Sequence, residues 1–297
     1  MNDPKVSVII PSYNHARFVE ECLRSVYAQT YKNFEVIVLD DGSTDGSPEL
    51  LKKLSGELGF HLVLKKNEGV CATLNRGIEL TKGEFITFIA SDDFMPPHRL
   101  MEQVEAMLKN LQADVIAGSI SIINERSQII TRKKARIDGY VTLDQMLKRN
   151  VVYAPTAVFR RKTFDKFGLY DERIAVEDYY MWLKILFNNG KILNTNNNWA
   201  FYRLNNGDLD SRFRWYFKGY KQVLSDYKFD SRAIIALERY NLVYCTKMIL
   251  LHGSKFFNNE RDSLLKLNIL YQVVLRIVAL FPPKIRQHVL NSLSQKI

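Results

Sequence analysis

The chain has 297 residues, of which 46% are hydrophobic, 25% charged and 12% aromatic, with 14 glycines and 8 prolines and a net charge of +10. That composition excludes a disordered, collagenous or low-complexity chain and supplies ample material for a core. No period of about 20 to 50 residues repeats, which excludes a solenoid or propeller, and Cys22, Cys71 and Cys245 fit neither a disulfide framework nor a paired zinc site and read as reduced thiols.

In chain order, the first 125 residues alternate short apolar runs with helical periodicity, the pattern of parallel strands joined by right-handed crossovers. KVSVII (5–10) reads as a buried strand; an acidic residue before the apolar run and the lack of a cleavage pattern argue against a signal peptide. Residues 16–29 place Phe18, Cys22 and Val26 four apart, an amphipathic helix. FEVIVLD (34–40) is a second strand, and Ser47 and Pro48 supply an N-cap and a first-turn proline for a helix to about residue 58. HLVLK (61–65), a helix over 69–80 and EFITFI (84–89) follow, then a helix opened by Pro96 and Pro97 and a fifth strand, DVIAGSISII (114–123). The fold class is therefore α/β, a doubly wound and mostly parallel sheet whose ligand site belongs at the carboxyl ends of the strands. Beyond it, TRKKAR (131–136) reads as an exposed loop or edge, Thr142 with Gln145 as a capping box, PTAVFRR (155–161) as a strand, and 176–188 as a helix opening on Glu177 and Asp178. LNNGDLD (204–210) is the best domain boundary.

The charge is unevenly placed. Residues 1–210 hold 27 basic and 27 acidic side chains, whereas residues 211–297 hold 15 basic and 5 acidic ones. The same third carries the longest apolar stretch, LLKLNILYQVVLRIVALF (264–281), interrupted by Lys266, Asn268, Gln272 and Arg276 and so no continuous bilayer span. On a helix these residues and Asp262 gather on one stripe and leave an apolar arc wider than half the circumference, which either packs in a core or lies in a membrane interface. RFRWYFKGYK (212–221) interleaves the aromatic and basic side chains that suit a headgroup boundary. An anionic membrane surface is the expected partner; nucleic acid is compatible with the charge, but no helix-turn-helix, zinc-ligand or RNP pattern supports it.

Three acidic clusters stand where chemistry would need them. Asp40-Asp41-Gly42-Ser43 follows the second strand, Ser91-Asp92-Asp93 the fourth, and Glu177-Asp178 opens a later helix; Tyr13-Asn14 follows the first strand. An aromatic face, a carboxylate that can pair with a base edge and hard oxygen ligands suit a nucleoside diphosphate with Mg²⁺ or Mn²⁺. No GxxxxGK[ST] or GxGxxG follows a strand, so a metal is expected to neutralise the diphosphate. His15, His61 and His98 lack metal-ligand spacing and are expected to be structural, Cys71 and Trp182 to be packing residues, with Trp199 open between core and platform.

With these residues in view, the chain resembles family 2 glycosyltransferases of the GT-A fold, of the bacterial surface-polysaccharide type. The resemblance is carried by VSVIIPSYN (6–14), AQTYKNFEVIVLDDGSTDGS (28–47), NEGVCATLNRGIELTKGEFITFIASDD (67–93) and FGLYDERIAVEDYYMWLK (167–184). It implies a catalytic domain over 1–205, with a nucleotide-sugar half over about 1–95 and an acceptor half over about 96–205, followed by a basic, mostly helical region over 206–297. It implies an inverting, metal-dependent transfer from a UDP-sugar to a hydroxyl of a saccharide acceptor, polyprenyl-diphosphate-linked, at the cytoplasmic face of the plasma membrane. By position, Tyr13 would stack on uracil and Asp41 would accept from its N3–H. Pro11, Asn67, Asn75 and Asp92 would join the nucleotide site. Asp93 would hold the metal, with Asp92 as the alternative ligand, and Asp178 would be the general base, with Glu177 as its alternative. The chain departs from the family pattern at Ala90, where an Asp is common, at Leu74, where an Arg is frequent, and at Asn205, where many relatives carry a His. A GT-A-like protein without activity and a basic nucleic-acid-binding module are the competing readings.

Overall fold

The computed structural model describes residues 3–204, 208–256 and 269–294. The chain divides into two compact units, one formed by Met1–Arg173 with Glu177–Asn205, the other by Ile174–Val176 with Asn206–Ile297.

The first unit is built on a nine-stranded sheet. Its strands are β1 (Val6–Ser12), β2 (Phe34–Asp41), β3 (His61–Lys65), β4 (Phe85–Phe88), β5 (Val115–Ile123), β6 (Ile129–Lys133), β7 (Gly139–Tyr140), β8 (Val158–Arg160) and β9 (Ile192–Arg203). They run in the order β3-β2-β1-β4-β8-β5-β9-β7, with β6 paired to the edge of β5. β1 is parallel to β2 and β4, and β5 to β9; β8 lies antiparallel between β4 and β5 and so restores one direction on both sides of it. The carboxyl ends of β1, β2, β4 and β9 therefore share one edge of the sheet.

Alternation along the strands divides the core between two faces. Val8, Ile10, Val36 and Val38 pack with Cys22, Leu23 and Val26 of α1 (Val19–Tyr27) and with Leu51 and Leu54 of α2 (Ser47–Leu58). Each fully buried aliphatic side chain here contributes about 1.5–3 kcal/mol. On the opposite face, α3 (Val70–Leu80) lies so close to β1 and β2 that a Cβ on Gly77 would stand 2.5 Å from the Ile9 side chain. The short α5 (Leu143–Lys148) has the expected reciprocal cap: the Thr142 hydroxyl accepts from the Gln145 N–H, and the Gln145 side chain accepts from the Thr142 N–H. Residues 131–133 of the basic stretch end the strand β6, which pairs with β5. The N-cap of α2 is a correction. Gly46, in the left-handed region, is the cap residue; Ser47 already lies within the helix and donates its hydroxyl to Asp45. Asp45 wins because its carboxylate accepts both the N–H and the O–H of Ser47, a stronger N-terminal acceptor than a serine hydroxyl.

Four further helices complete this unit's cover: α4 (Arg99–Lys109), α5, α6 (Arg161–Phe167) and α7 (Glu177–Phe187). Trp182 of α7 stacks on Phe159, and Trp199 donates its indole N–H to Glu102, so both tryptophans belong to the core. The second unit contains α8 (Leu209–Ser225), α9 (Ser231–His252), α10 (Ile269–Ala279) and α11 (Pro283–Ser294). Its core gathers Phe213, Tyr244, Met248, Ile249, Leu275 and Leu290. The first part of the apolar stretch, 264–268, and Asn205 lie outside the described residues. Among the described residues, no helix is long and apolar enough to cross a membrane. The three cysteines are buried thiols.

Candidate active site

The loop after β1 is tied to the loop after β2 by a short ladder of bonds. Asn14, at φ 54°, donates its N–H to the Ser43 hydroxyl and accepts from the Thr44 N–H, both at 2.8 Å; the Ala16 N–H reaches Asp45 at 2.9 Å. Asp40 is buried and closes a turn by accepting from the N–H and hydroxyl of Ser43. Tyr13, 47% exposed, is thus held at the rim with its ring open to a ligand. Gly42, at φ 77°, lies where a Cβ would meet the Asn67 nitrogen at 2.8 Å, so glycine lets the loop around exposed Asn67 close over the end of β2.

Asp41 anchors that closure. Its carboxylate accepts from Lys65 and from the Glu68 N–H on one oxygen, and from the Gly69 N–H at 2.9 Å on the other. A lone pair on the second oxygen stays available for an incoming donor.

The end of β4 separates two adjacent carboxylates. Asp93 is 2% exposed; one oxygen accepts from the Arg203 N–H at 2.8 Å, and the other is buried without a partner. Burial holds its carboxyl well above the usual range, and the neighbouring Asp92 pushes the same way, opposed by Arg203 and Arg99. Arg99 is also fully buried, and burial lowers its guanidinium to about 9, which leaves it a cation at neutral pH. Asp92 is 20% exposed, with His15 Nε2 at 3.7 Å, while His15 Nδ1 pairs with the Ser91 hydroxyl at 2.9 Å. Arg203 joins the parts: its guanidinium donates to the Asp92 carbonyl, the Asn124 carbonyl and Glu21, and covers the Phe18 ring at 4.3 Å.

Elsewhere in the same unit, Glu177 and Asp178 open α7, both half-buried. Burial raises Glu177 well above the glutamate range and the adjacent Asp178 raises it further. Burial also raises Asp178, but the Tyr179 N–H and the Asn150 amide, which donates to it at 3.1 Å, draw it back. Hydrogen-bond donors thus favour the charged form of Asp178 over that of Glu177. Cys71 and Tyr170 stand in the same field: burial pushes Cys71 up to about 12, and Glu177 acts on both.

Two of the expected site residues are enclosed. Asn75 is buried, and its amide bridges both backbone groups of Tyr170 and reaches Glu172, so it braces the 168–172 segment. Asp93 is buried with one carboxylate oxygen unpartnered, and Asp92 is the more exposed of the two acids. Pro11, half-buried, contributes its carbonyl to the Ser91 N–H and so links the ends of β1 and β4. Asn150, Arg99 and Arg203 were missed because their roles depend on contacts distant in sequence; His15 was set aside for want of a spaced partner, although Asp92 is that partner in space. Among the described residues, no group of three or more His, Cys, Asp or Glu side chains is arranged to hold a metal ion by itself.

The model of the family described as glycosyl transferase family 2 matches residues 7–168. The chain belongs to this family. Its relatives include the E. coli UDP-Glc:alpha-D-GlcNAc-diphosphoundecaprenol beta-1,3-glucosyltransferase WfgD, 31% identical over 228 residues that cover 76% of this chain and 88% of that protein. Uncharacterized glycosyltransferases of Rickettsia species are 30% to 32% identical, and the chain spans only 27% to 59% of their length. Two solved structures confirm the GT-A fold. The mannosyltransferase PcManGT from Pyrobaculum calidifontis, in complex with GDP-Man and Mn²⁺, superposes with a TM-score of 0.62 at 17% identity, covering 93% of this chain and 86% of that one. S. aureus TarS 1-349, in complex with UDP-GlcNAc, superposes with a TM-score of 0.59 at 20% identity, covering 93% and 79%. The family 2 chain described here thus has the GT-A sheet, with the helical C-terminal region beside it in sequence.

Proposed function

We propose that this family 2 chain is an inverting glycosyltransferase that moves a sugar from a UDP-sugar to a hydroxyl of a saccharide acceptor in bacterial surface polysaccharide synthesis. The observation that carries the reading is the convergence of Tyr13, Asp41 and Asp92 on one edge of the sheet. Residues 1–205 would form the catalytic domain, with the nucleotide half over about 1–95 and the acceptor half over about 96–205. WfgD, whose named substrate is a diphosphoundecaprenol-linked sugar, supports a polyprenyl-diphosphate-linked acceptor.

Tyr13 offers its ring to the base and Asp41 its remaining lone pair to the uracil N3–H. Asp178, ionised and oriented by Asn150, accepts the proton of the acceptor hydroxyl as that oxygen bonds to C1 of the donor sugar. The C1–O bond to UDP breaks on the opposite face, UDP leaves with the electron pair, and the configuration at C1 inverts. The residues fit a divalent cation: Asp92 is a hard, partly exposed oxygen donor, and the ligands it lacks are of the kind a diphosphate carries. A bound Mg²⁺ or Mn²⁺ would supply counter-charge to the diphosphate.

A panel of nucleotide sugars tests the reading through UDP release with Mg²⁺, Mn²⁺ or EDTA, and through the anomeric configuration of the product. Turnover of a UDP-sugar, lost in EDTA and giving the inverted anomer, is expected. Retention at C1, or tighter binding of GDP than of UDP, would refute it.

A further inference from the structure

Helix α10 is apolar on two opposite sides. Leu275 and Ala279, four apart, are buried in the core of the second unit with Tyr244, Met248 and Ile249 of α9. Rotated about half a turn from them, Val273, Ile277 and Leu280 stand exposed, Ile277 by 53% and Leu280 by 79%, with Val274 and Phe281 alongside. Ile285 and Val289, four apart on α11, add two more exposed aliphatic side chains. The turn between these helices is held by Arg286, which donates to the Phe281 carbonyl and to the Ile249 carbonyl of α9, both at 3.0 Å. This apolar face is therefore presented by an anchored element.

Charge identifies the occupant. No Asp or Glu follows Asp262, while Lys266, Arg276, Lys284, Arg286 and Lys296 all do. Arg276 and Lys284 are exposed beside the apolar residues. A second copy of this chain would bring two acid-free, basic faces together, which like-charge repulsion opposes. A surface that is apolar and also anionic at its boundary satisfies both features. We propose that the exposed face of α10 docks on an anionic lipid bilayer, with Val273, Ile277 and Leu280 inserted at the level of the headgroups and Lys284, just beyond the helix, on the phosphates. This goes beyond the transfer reaction and does not depend on it.

The test is cosedimentation of the full chain with phosphatidylglycerol–phosphatidylcholine vesicles and with phosphatidylcholine vesicles, at low and at high salt. Binding to the anionic vesicles is expected, weakening as salt shortens the Debye length from about 30 Å at 0.01 M toward about 3 Å at 1 M. Ile277→Asp with Leu280→Asp, both at exposed positions, should lower partitioning at least about tenfold at either salt without changing Tm. Lys284→Glu should lower it about fivefold or more, at low salt only. An intact protein that stays in the supernatant under all four conditions overturns the proposal. So does a concentration-dependent oligomer in sedimentation velocity that the Ile277/Leu280 double variant dissolves, which would assign the face to self-association. Transfer to a short lipid-free saccharide should be unchanged in both variants. Vesicle binding by a protein with no transfer activity would refute the catalytic reading and leave this one standing.

Discussion

Among the pairs of neighbouring acids in the first unit, Asp92-Asp93 and Glu177-Asp178 are treated in opposite ways. At the end of β4, Asp92 and Asp93 are drawn apart: one looks toward His15, while the other is enclosed beneath the Arg203 N–H. At the start of α7, Glu177 and Asp178 share one environment and differ in hydrogen bonding, since Asn150 and the Tyr179 N–H favour the charged form of Asp178 alone. Burial divides the labour in the first pair; donors divide it in the second. Adjacency in sequence leaves both divisions open, because successive side chains point in different directions and meet different neighbours.

The comparison is broken most directly at Asp178. Asp178→Asn should lower kcat by about 10²- to 10⁴-fold with UDP binding nearly unchanged, as measured by initial rates and calorimetric titration. Glu177→Gln, which imitates the neutral form that burial favours, should retain most of the activity and keep the acid limb of the pH profile in place. A larger loss in the Gln variant would exchange the two roles.

The first pair should separate stability from activity. Asp93→Ala leaves the buried Arg203 N–H without an acceptor and removes the carboxyl that raises buried Arg99. It should cost about 1–3 kcal/mol, read as a lowered midpoint in urea. Asp92→Ala should leave that midpoint within about 0.5 kcal/mol of the native value while lowering metal-dependent turnover at least tenfold. A stable Asp93 variant with lost metal dependence would return the ligand role to Asp93.

The smallest effect sharpens the second pair. Asn150→Ala removes a donor that favours the ionised Asp178, so its pKa should rise further and the acid limb of the kcat profile should move to higher pH. An unmoved limb with an unchanged rate would remove Asn150 from the site.

The strands, most helices and the edge on which Tyr13, Asp41 and Asp92 meet were legible in the sequence, since apolar periodicity and loop residues are local signals. VSVIIPS and FEVIVLDD are buried on both faces, and their polar punctuation comes where the strands end. The inverted strand β8 was less legible: three residues, Val158–Arg160, read as a strand of either direction, and only pairing with β4 and β5 orients them. The α2 cap was misread for a related reason, because Ser47 and Asp45 both have capping chemistry and loop geometry chose between them.

The sequence alone determined the fold class, the family and the types of group at the site, all properties of composition, spacing and order along the chain. Tertiary structure decided which group does what. Asn75 turned inward because the 168–172 segment supplies the partners for its amide, and Asp93 was enclosed because Arg203, 110 positions later, brings its N–H to it. The donor that favours the charged form of Asp178 is Asn150, 28 positions earlier. A carboxylate's role depends on its solvation and on the donors around it, and both are set by residues that the fold alone makes neighbours.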